Sequence, residues 1–352
     1  MPTLYNHHYT PLELKQFADL SQLAGVRLVE YQEGKTRGMR VAQVYTGSGF
    51  RFEILLDRAL DIGAVEHNGR AIGWTYPALG TPQFYDPHKY GWVRTFGGGL
   101  VTTCGLDFFG QPENDNGQEL GLHGRISHTP AEQVRVTTEW RGDDYVLRIE
   151  GRARQAAIFG ENLVLTRRIT TKLGANSFAM HDTITNEGFR LAPHMILYHV
   201  NFGFPVVSPD SEVLLDVEST RPRDARAEKG FGQEMHFEKP VLDYPEQVFF
   251  HKPRADADGF AQGNIVNHAL NFGAYLKWKL DALPYMGQWK LMQAGEYVCA
   301  LEPANYWETP RAELREAGRL KMLQPGESVE YELEFGAIPE LHHVTSHRIH
   351  SK

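Results

Sequence analysis

Hydrophobic and polar residues alternate with a period of two through most of this chain. Because successive side chains of a strand point to opposite faces of a sheet, this alternation predicts β-strands. Turns rich in Gly, Asn, Asp and Pro separate the alternating segments. Clear strands are predicted at residues 26–31, 39–45, 50–56, 61–66, 134–140, 145–152, 163–171, 177–186 and 329–335. Many short strands without helices between them predict an all-β fold, either a sandwich or a barrel.

Two regions depart from this pattern. Residues 11–24 have the apolar spacing of a short helix that begins at a proline. Residues 218–263 are rich in charge, Pro and Gly and predict an excursion from the sheet. No repeat or linker divides the chain, so we predict one domain, residues 1–352, with an N-terminal helical segment at residues 1–25 packed on it.

The stretch at residues 193–205, PHMILYHVNFGFP, has two different faces when it forms a strand. One face is apolar and suits a sheet core: Ile196, Tyr198, Val200, Phe202 and Phe204. The other face contains an imidazole next to an amide: Met195, Leu197, His199, Asn201 and Gly203. The strand pattern alone leaves two interpretations of His199, a hydrogen-bonded histidine within the sheet or a residue of a functional site.

Composition and charge narrow the possible partners. The 352 residues have a formal net charge of −8 and no basic cluster, which argues against a nucleic-acid partner. The two cysteines, Cys104 and Cys299, are far apart and lie in apolar or Gly-containing runs, so we expect buried free thiols. The N-terminus lacks the pattern of a signal peptide, and no apolar run approaches the roughly 20 residues of a membrane helix. We therefore expect a cytoplasmic protein without a membrane partner, and the sequence leaves its oligomeric state open, a homodimer included.

Three segments place polar residues inside otherwise structural sequence. They contain His123 in LHGR at 122–125, His199, and Glu302 at the end of the apolar run in YVCALEPANY at 297–306. Burial of a carboxylate is costly unless the group is paired or used, and burial also shifts its pKa toward values useful to a general base. His123, His199 and Glu302 could alternatively bind a metal ion together.

Taken in order, these segments resemble the aldose 1-epimerase (galactose mutarotase-like) superfamily, and within it a divergent bacterial branch. The resemblance spans most of the chain. The motifs that support it are the hairpin ending in His67-Asn68-Gly69, GGGLVTTCGLDFFG at 97–110, LHGRISHTPA at 122–131, TNEG at 185–188, LPYMGQWKL at 283–291, CALEP at 299–303 and LQPGESVEYELEFG at 323–336.

The resemblance implies a large antiparallel β-sandwich that binds sugar in a cleft on one sheet. The implied reaction opens and recloses the sugar ring at the anomeric carbon without a cofactor. Glu302 would take the proton of the C1 hydroxyl, His199 would protonate the ring oxygen, and His123 would orient the sugar. Expected sugar ligands at positions where the superfamily pattern is less clear are Arg94, Arg125, Asp107 and Gln247.

The sequence therefore predicts an enzyme, a carbohydrate mutarotase that acts on a free aldose or acidic hexose. Two other functions remain open at this point. One is a metal-assisted sugar lyase or isomerase on the same scaffold, and the other is a non-catalytic carbohydrate-binding protein.

Overall fold

A computed structural model describes residues 2–5, 7–17 and 19–343 of the chain. Its helices are short: α1 at Pro11–Phe17, α2 at Ala225–Glu228 and α3 at Arg311–Glu316. Single 3₁₀ turns lie at Leu20–Gln22, Gly34–Thr36, Pro82–Phe84, Gly91–Arg94, Ile126–His128 and Leu341–His343.

Strands make up most of the regular structure, as an all-β fold requires. In the first half of the chain they are β1 Thr3–Leu4, β2 His7–His8, β3 Gly25–Glu30, β4 Arg40–Tyr45, β5 Phe50–Leu55, β6 Asp61–His67, β7 Arg70–Ala71, β8 Val101–Leu106, β9 Glu113–Asp115, β10 Gln118–Leu120, β11 Glu132–Arg141, β12 Asp144–Ala156 and β13 Asn162–Lys172. The second half contains β14 Ser177–Asn186, β15 Ala192–Pro193, β16 Met195–Gly203, β17 Ser211–Leu215, β18 Val217–Pro222, β19 Gln247–Pro253, β20 Phe260–Asn267, β21 Phe272–Lys279, β22 Tyr285–Gln293, β23 Glu296–Ala304, β24 Met322–Leu323 and β25 Ser328–Ile338.

Two large antiparallel sheets pack face to face. One has eight strands in the order β11-β12-β13-β14-β25-β21-β20-β17. The other has eleven, in the order β18-β19-β22-β23-β16-β8-β6-β5-β4-β3, with β7 paired to β6. Apolar side chains of both sheets form one core, in which Phe52 of β5 stacks on Phe178 of β14 at 4.4 Å. The expected β-sandwich is confirmed, and within the described residues neither sheet closes into a barrel.

Two local expectations need correction. The N-terminal helix ends at Phe17, whose ring is exposed, and a separate 3₁₀ turn follows it. The region 218–263 is not simply an excursion, because most of β18 and all of β19 lie within it and extend the eleven-stranded sheet. The single-domain organisation of residues 1–352 stays a prediction.

The two predicted faces of β16 are present in the structure. Ile196, Tyr198, Val200 and Phe202 lie in the core between the sheets. Met195 and Leu197 belong to a second apolar cluster on the outer face of the sheet, together with Trp74, Trp92 and Phe96. Phe204 was expected in the core but follows the end of β16 and is 73% exposed. The outer face of β16, which contains His199, therefore faces a second packed region.

The triple glycine at 97–99 makes a bend against neighbouring backbone. Gly98 and Gly99 have φ angles of +67° and +89°, and a Cβ on Gly98 would lie 2.5 Å from the carbonyl oxygen of Trp74. Only glycine accepts this conformation and this approach without strain.

Both cysteines are buried free thiols, as expected. None of the helices in the described residues is long and apolar enough to cross a membrane.

Candidate active site

A cavity of about 630 Å³ lies over the outer face of the eleven-stranded sheet. Its volume is within the range of small-molecule sites. Strands β16, β22 and β23 form much of its floor, and loops that precede β8 and follow β10 and β23 form its walls. Aromatic rings supply much of the apolar lining: Trp74, Tyr76, Trp92, Phe96, Trp289 and Trp307. His123, His199 and Glu302 also line this cavity.

His199 and Glu302 form an ion pair in the floor of the cavity. His199 is on β16 and Glu302 is on the adjacent β23, whose register places the two residues opposite each other. His199 Nε2 lies 3.0 Å from Glu302 Oε1, and both side chains are largely buried. A tertiary contact between neighbouring strands thus joins two residues that are 103 positions apart in the sequence (302 − 199).

The hydrogen bonds around His199 show where its protons are. Asn201 Nδ2 donates to the carbonyl oxygens of Gly99 and His199, both at 3.0 Å, so Asn201 Oδ1 must be an acceptor. This oxygen lies 2.6 Å from His199 Nδ1, which therefore carries a hydrogen. His199 Nε2 faces a carboxylate, so ionised Glu302 requires a second hydrogen there. With Glu302 ionised, these hydrogen bonds fit an imidazolium beside a carboxylate, one acid beside one base.

Burial and charge act in opposite directions on Glu302. Burial alone would raise the pKa of its carboxyl group. The charge of His199 and the hydrogen bond from its ring outweigh burial, with a smaller contribution from the charge of Arg223, and the pKa of Glu302 lies below the usual glutamate value. Glu302 is therefore ionised and able to accept a proton at neutral pH.

His123 lies beside this pair as a neutral imidazole. Its backbone has a φ of +57° and is held by hydrogen bonds to Gly110 and Gly105 at 3.0 and 3.2 Å. The ring centroid is 5.7 Å from that of His199. Burial, together with the charge of His199, lowers the pKa of His123 to about 3. His123 Nδ1 is buried without a hydrogen-bond partner. A neutral imidazole of this kind can hold a ligand hydroxyl as donor or acceptor.

The other four expected sugar ligands lie elsewhere in the molecule. Arg94 is exposed at the end of a 3₁₀ turn, and Gln247 is buried where Tyr244 donates to it. Asp107 and Arg125 line a separate cavity of about 680 Å³. Asp107 is held there by Arg311 Nη1 at 3.0 Å. The structure thus brings His123, His199 and Glu302 together and leaves these four outside their cavity.

The arginine that does enter the cavity is Arg223, which lies in the charge-rich region 218–263 that the sequence predicted as an excursion from the sheet. Arg223 follows β18, and its guanidinium lies 2.9 Å from Glu246 and 3.6 Å from Glu308, which also line the cavity. Burial raises the pKa of Glu308. The available signal was the two-residue spacing of Arg221 and Arg223, because pairing with β19 continues past the end of β18 to Arg223, whose amide donates to the carbonyl oxygen of Val248 at 2.9 Å.

A metal site is the remaining arrangement that the sequence left open. In the described part of the chain, no three His, Cys, Asp or Glu side chains are placed so that they could hold a metal ion. The three site residues are arranged as an ion pair with a neighbouring neutral imidazole.

Comparison with known protein families identifies the family of this chain. A family described as a domain of unknown function, DUF4432, matches residues 36–337. The chain belongs to the DUF4432 family. None of the curated proteins compared with it matches.

Solved structures relate this DUF4432 protein to the galactose mutarotase-like fold. A protein of Klebsiella pneumoniae, named as a candidate aldose 1-epimerase, is 25% identical and superposes with a TM-score of 0.85 over 93% of this chain and 90% of the other. A galactose mutarotase-like protein of Clostridium acetobutylicum is 12% identical, with a TM-score of 0.63 over 90% and 99% of the two chains. A galactose 1-epimerase of Lactobacillus acidophilus is 12% identical, with a TM-score of 0.59 over the same shares. The DUF4432 protein therefore has the galactose mutarotase-like β-sandwich, as its motifs indicated.

Proposed function

We propose that this protein is a carbohydrate mutarotase, which interconverts the anomers of a free sugar by opening and reclosing its ring. The observation that supports this function is the His199–Glu302 pair in the floor of an aromatic cavity, with one proton available and one proton acceptor. Mutarotation needs both groups, because one proton leaves O1 while another arrives at O5. The structural relatives named for this activity add support at the level of the fold.

The proposed reaction begins when a bound sugar replaces the mutual hydrogen bond of the pair. The Glu302 carboxylate takes the proton from the O1 hydroxyl, and the His199 imidazolium gives its Nε2 proton to the ring oxygen. The C1–O5 bond breaks as the C1 carbonyl forms. His123 holds a hydroxyl of the sugar during this step. After rotation about C1–C2, the reverse transfers close the ring on the other face of the carbonyl and restore both protonation states.

Anomer exchange followed by NMR across a panel of aldoses tests this function. We expect wild-type protein to exchange anomers faster than buffer alone. Glu302→Gln and His199→Asn should each lower the exchange rate at least about 100-fold, since each removes one proton transfer. His181 and Glu330 provide a matched control, because they form a His–Glu pair at 3.7 Å on the other sheet. His181→Asn and Glu330→Gln should keep the wild-type rate.

Two outcomes would contradict the proposal. If wild-type protein leaves every sugar at the buffer rate, it is not a mutarotase, and sugar binding without exchange would identify a binding protein instead. If Glu302→Gln exchanges anomers as fast as wild type, the pair is not the acid and base.

A further inference from the structure

The catalytic pair occupies only one end of a row that crosses four strands. The registers place His199 on β16 opposite Glu302 on β23, Glu302 opposite Gly287 on β22, and Gly287 opposite Phe250 on β19. Neighbouring strands lie about 4.8 Å apart, so His199 and Phe250 are separated by about 14 Å across the sheet. All four residues line the same cavity. The cavity floor is therefore longer than one pyranose ring with its hydroxyls.

Gly287 keeps the middle of this row open. A Cβ at this position would lie 2.8 Å from Glu302 Oε2. Since glycine has no side chain, the carboxylate of Glu302 leans over its backbone, and no side chain of β22 stands in this row between that carboxylate and the ring of Phe250. A ligand bound at Glu302 therefore meets no β22 side chain in this row on its way to Phe250.

An aromatic platform lies at the far end. The rings of Phe250 and Trp307 pack edge to face at 5.5 Å, and both line the cavity. Tyr285 packs on Trp307 at 4.5 Å, and the guanidinium of Arg221 lies over both platform rings, 4.5 Å from Phe250 and 5.2 Å from Trp307. These contacts hold Trp307 in place before any ligand binds, which reduces the entropy cost of binding.

Charged side chains at the same end are already paired. Arg223 contacts Glu246 and Glu308, Trp289 Nε1 donates to Glu246 at 3.1 Å, and Gln111 donates to Glu308 at 2.9 Å. The guanidiniums of Arg221 and Arg223 are matched by the carboxylates of Glu246 and Glu308, so this end has no excess positive charge for an anionic ligand. Held in place, Arg223, Glu246 and Glu308 can donate to and accept from hydroxyls, as an uncharged, hydroxyl-rich ring requires.

We propose that Phe250, Trp307, Arg223, Glu246 and Glu308 form a second subsite, which binds an uncharged glycosyl ring attached to the reacting sugar. This inference rests on the proposed function for the identity of the first subsite. The substrate class is then a reducing disaccharide whose free anomeric carbon lies at Glu302 and His199. The second ring is linked through a hydroxyl other than O1, because ring opening needs a free O1–H.

The test compares glucose with maltose, cellobiose and lactose. For each sugar we would measure the Kd by calorimetry and kcat/KM by anomer-exchange NMR. With wild-type protein, we expect at least one disaccharide to have a Kd about tenfold lower than that of glucose and a kcat/KM about tenfold higher, a gain of the size that a single aromatic contact can supply. Trp307→Ala should lower the ratio of kcat/KM for the disaccharide to kcat/KM for glucose about tenfold. Trp307→Phe, which keeps an aromatic face, should restore much of this ratio.

Controls separate the subsite from general damage. If Trp307→Ala disrupted the fold, kcat/KM would fall for glucose and for the disaccharide together. The ratio of the two values would then stay unchanged. Phe189→Ala removes an aromatic ring that is 97% exposed and lies outside this cavity, so it should leave the ratio at the wild-type value.

The outcomes distinguish the two proposals. If glucose is exchanged but no disaccharide binds more tightly, or if Trp307→Ala leaves the ratio unchanged while glucose is exchanged at the wild-type rate, the second subsite is wrong and mutarotation stands. If no sugar is exchanged but a disaccharide binds more tightly through Trp307, the proposed reaction is wrong and the subsite stands.

Discussion

Asn201 supports the charge state of the His199–Glu302 pair, the proposed acid and base, through a hydrogen bond to the His199 ring. By accepting a hydrogen bond from His199 Nδ1, it stabilises the doubly protonated ring, whose charge then keeps the pKa of Glu302 low. Hydrogen bonds to charged groups contribute about 1.5–3 kcal/mol. Since one pKa unit corresponds to about 1.4 kcal/mol, loss of this bond should affect proton transfer within the working pH range.

Asn201→Leu tests this role through the pH profile. Without its acceptor, the charged form of His199 becomes less stable, and Glu302 loses the charge that lowers its pKa. In the proposed reaction, activity needs ionised Glu302 and falls as pH drops through that pKa, so the acid limb of kcat/KM should move to higher pH by about one unit. The measurement is anomer exchange over roughly pH 4 to 9, the range in which carboxyl and imidazole groups titrate.

Asn201→Asp is the matched comparison, because its carboxylate still accepts from His199 Nδ1. Its acid limb should stay at or below that of wild type. An unchanged acid limb in Asn201→Leu would show that Asn201 supports only the packing of the strand.

At the scale of elements, β22 contributes to the site through a position without a side chain, Gly287. Its Gly287 lies opposite Glu302, and the missing side chain leaves room for the carboxylate to stand in the floor of the cavity. The neighbouring Trp289 then restores bulk two residues further on, on the same face of the strand. On one face of β22, a glycine thus leaves space for the carboxylate and a tryptophan two residues later lines the cavity.

Gly287→Ala should therefore reduce activity without unfolding the protein. The new Cβ would displace the flexible end of Glu302, and a misplacement of about 1 Å can cost roughly 100-fold in kcat/KM. We expect this loss in anomer exchange, with a thermal midpoint close to that of wild type.

Gly151→Ala is the control on the other sheet, where a new Cβ would meet only the ends of Leu60 and Val134 at 3.2 and 3.3 Å. It should keep its activity. Full activity in Gly287→Ala would mean that the exact position of Glu302 is not critical.

At the scale of the whole molecule, a buried charge network joins the two sheets behind the site. Arg167 of β13 donates to Asp182 of β14 at 2.7 Å and to Asp61 of β6 at 2.9 Å. Tyr198 donates to the same Asp182 at 2.7 Å, from the face of β16 opposite to His199. Because this network fixes the strand that carries His199, it connects the stability of the sandwich to the geometry of the site.

Arg167→Met should lower the free energy of unfolding by about 3–5 kcal/mol, since it leaves two buried carboxylates without their cation. Urea unfolding followed by fluorescence measures the change. Arg168→Met is the neighbouring control: Arg168 is half exposed, 3.5 Å from Glu150, and its loss should cost about 1 kcal/mol or less. Equal stability of the two variants would show that the network does not hold the sheets together.

Prediction from the sequence succeeded where one face of a strand is buried and the other is not. The strand at 177–186 has its predicted bounds, and its burial alternates along its length. It failed at β19, Gln247–Pro253, where nearly every side chain is buried. With the sandwich core on one side and the cavity on the other, both faces of this strand are covered and no period of two remains.

The sequence by itself determined the all-β class, the two faces of β16, and His123, His199 and Glu302 as the polar residues to consider. Only the tertiary structure decided that Arg223 enters the cavity and that Arg94, Arg125, Asp107 and Gln247 do not. The physical reason is strand order. Alternation along a strand is a local property and can be seen in sequence, whereas the order β18-β19-β22-β23-β16 brings together residues far apart in the chain, and that order depends on how the two sheets pack as a whole.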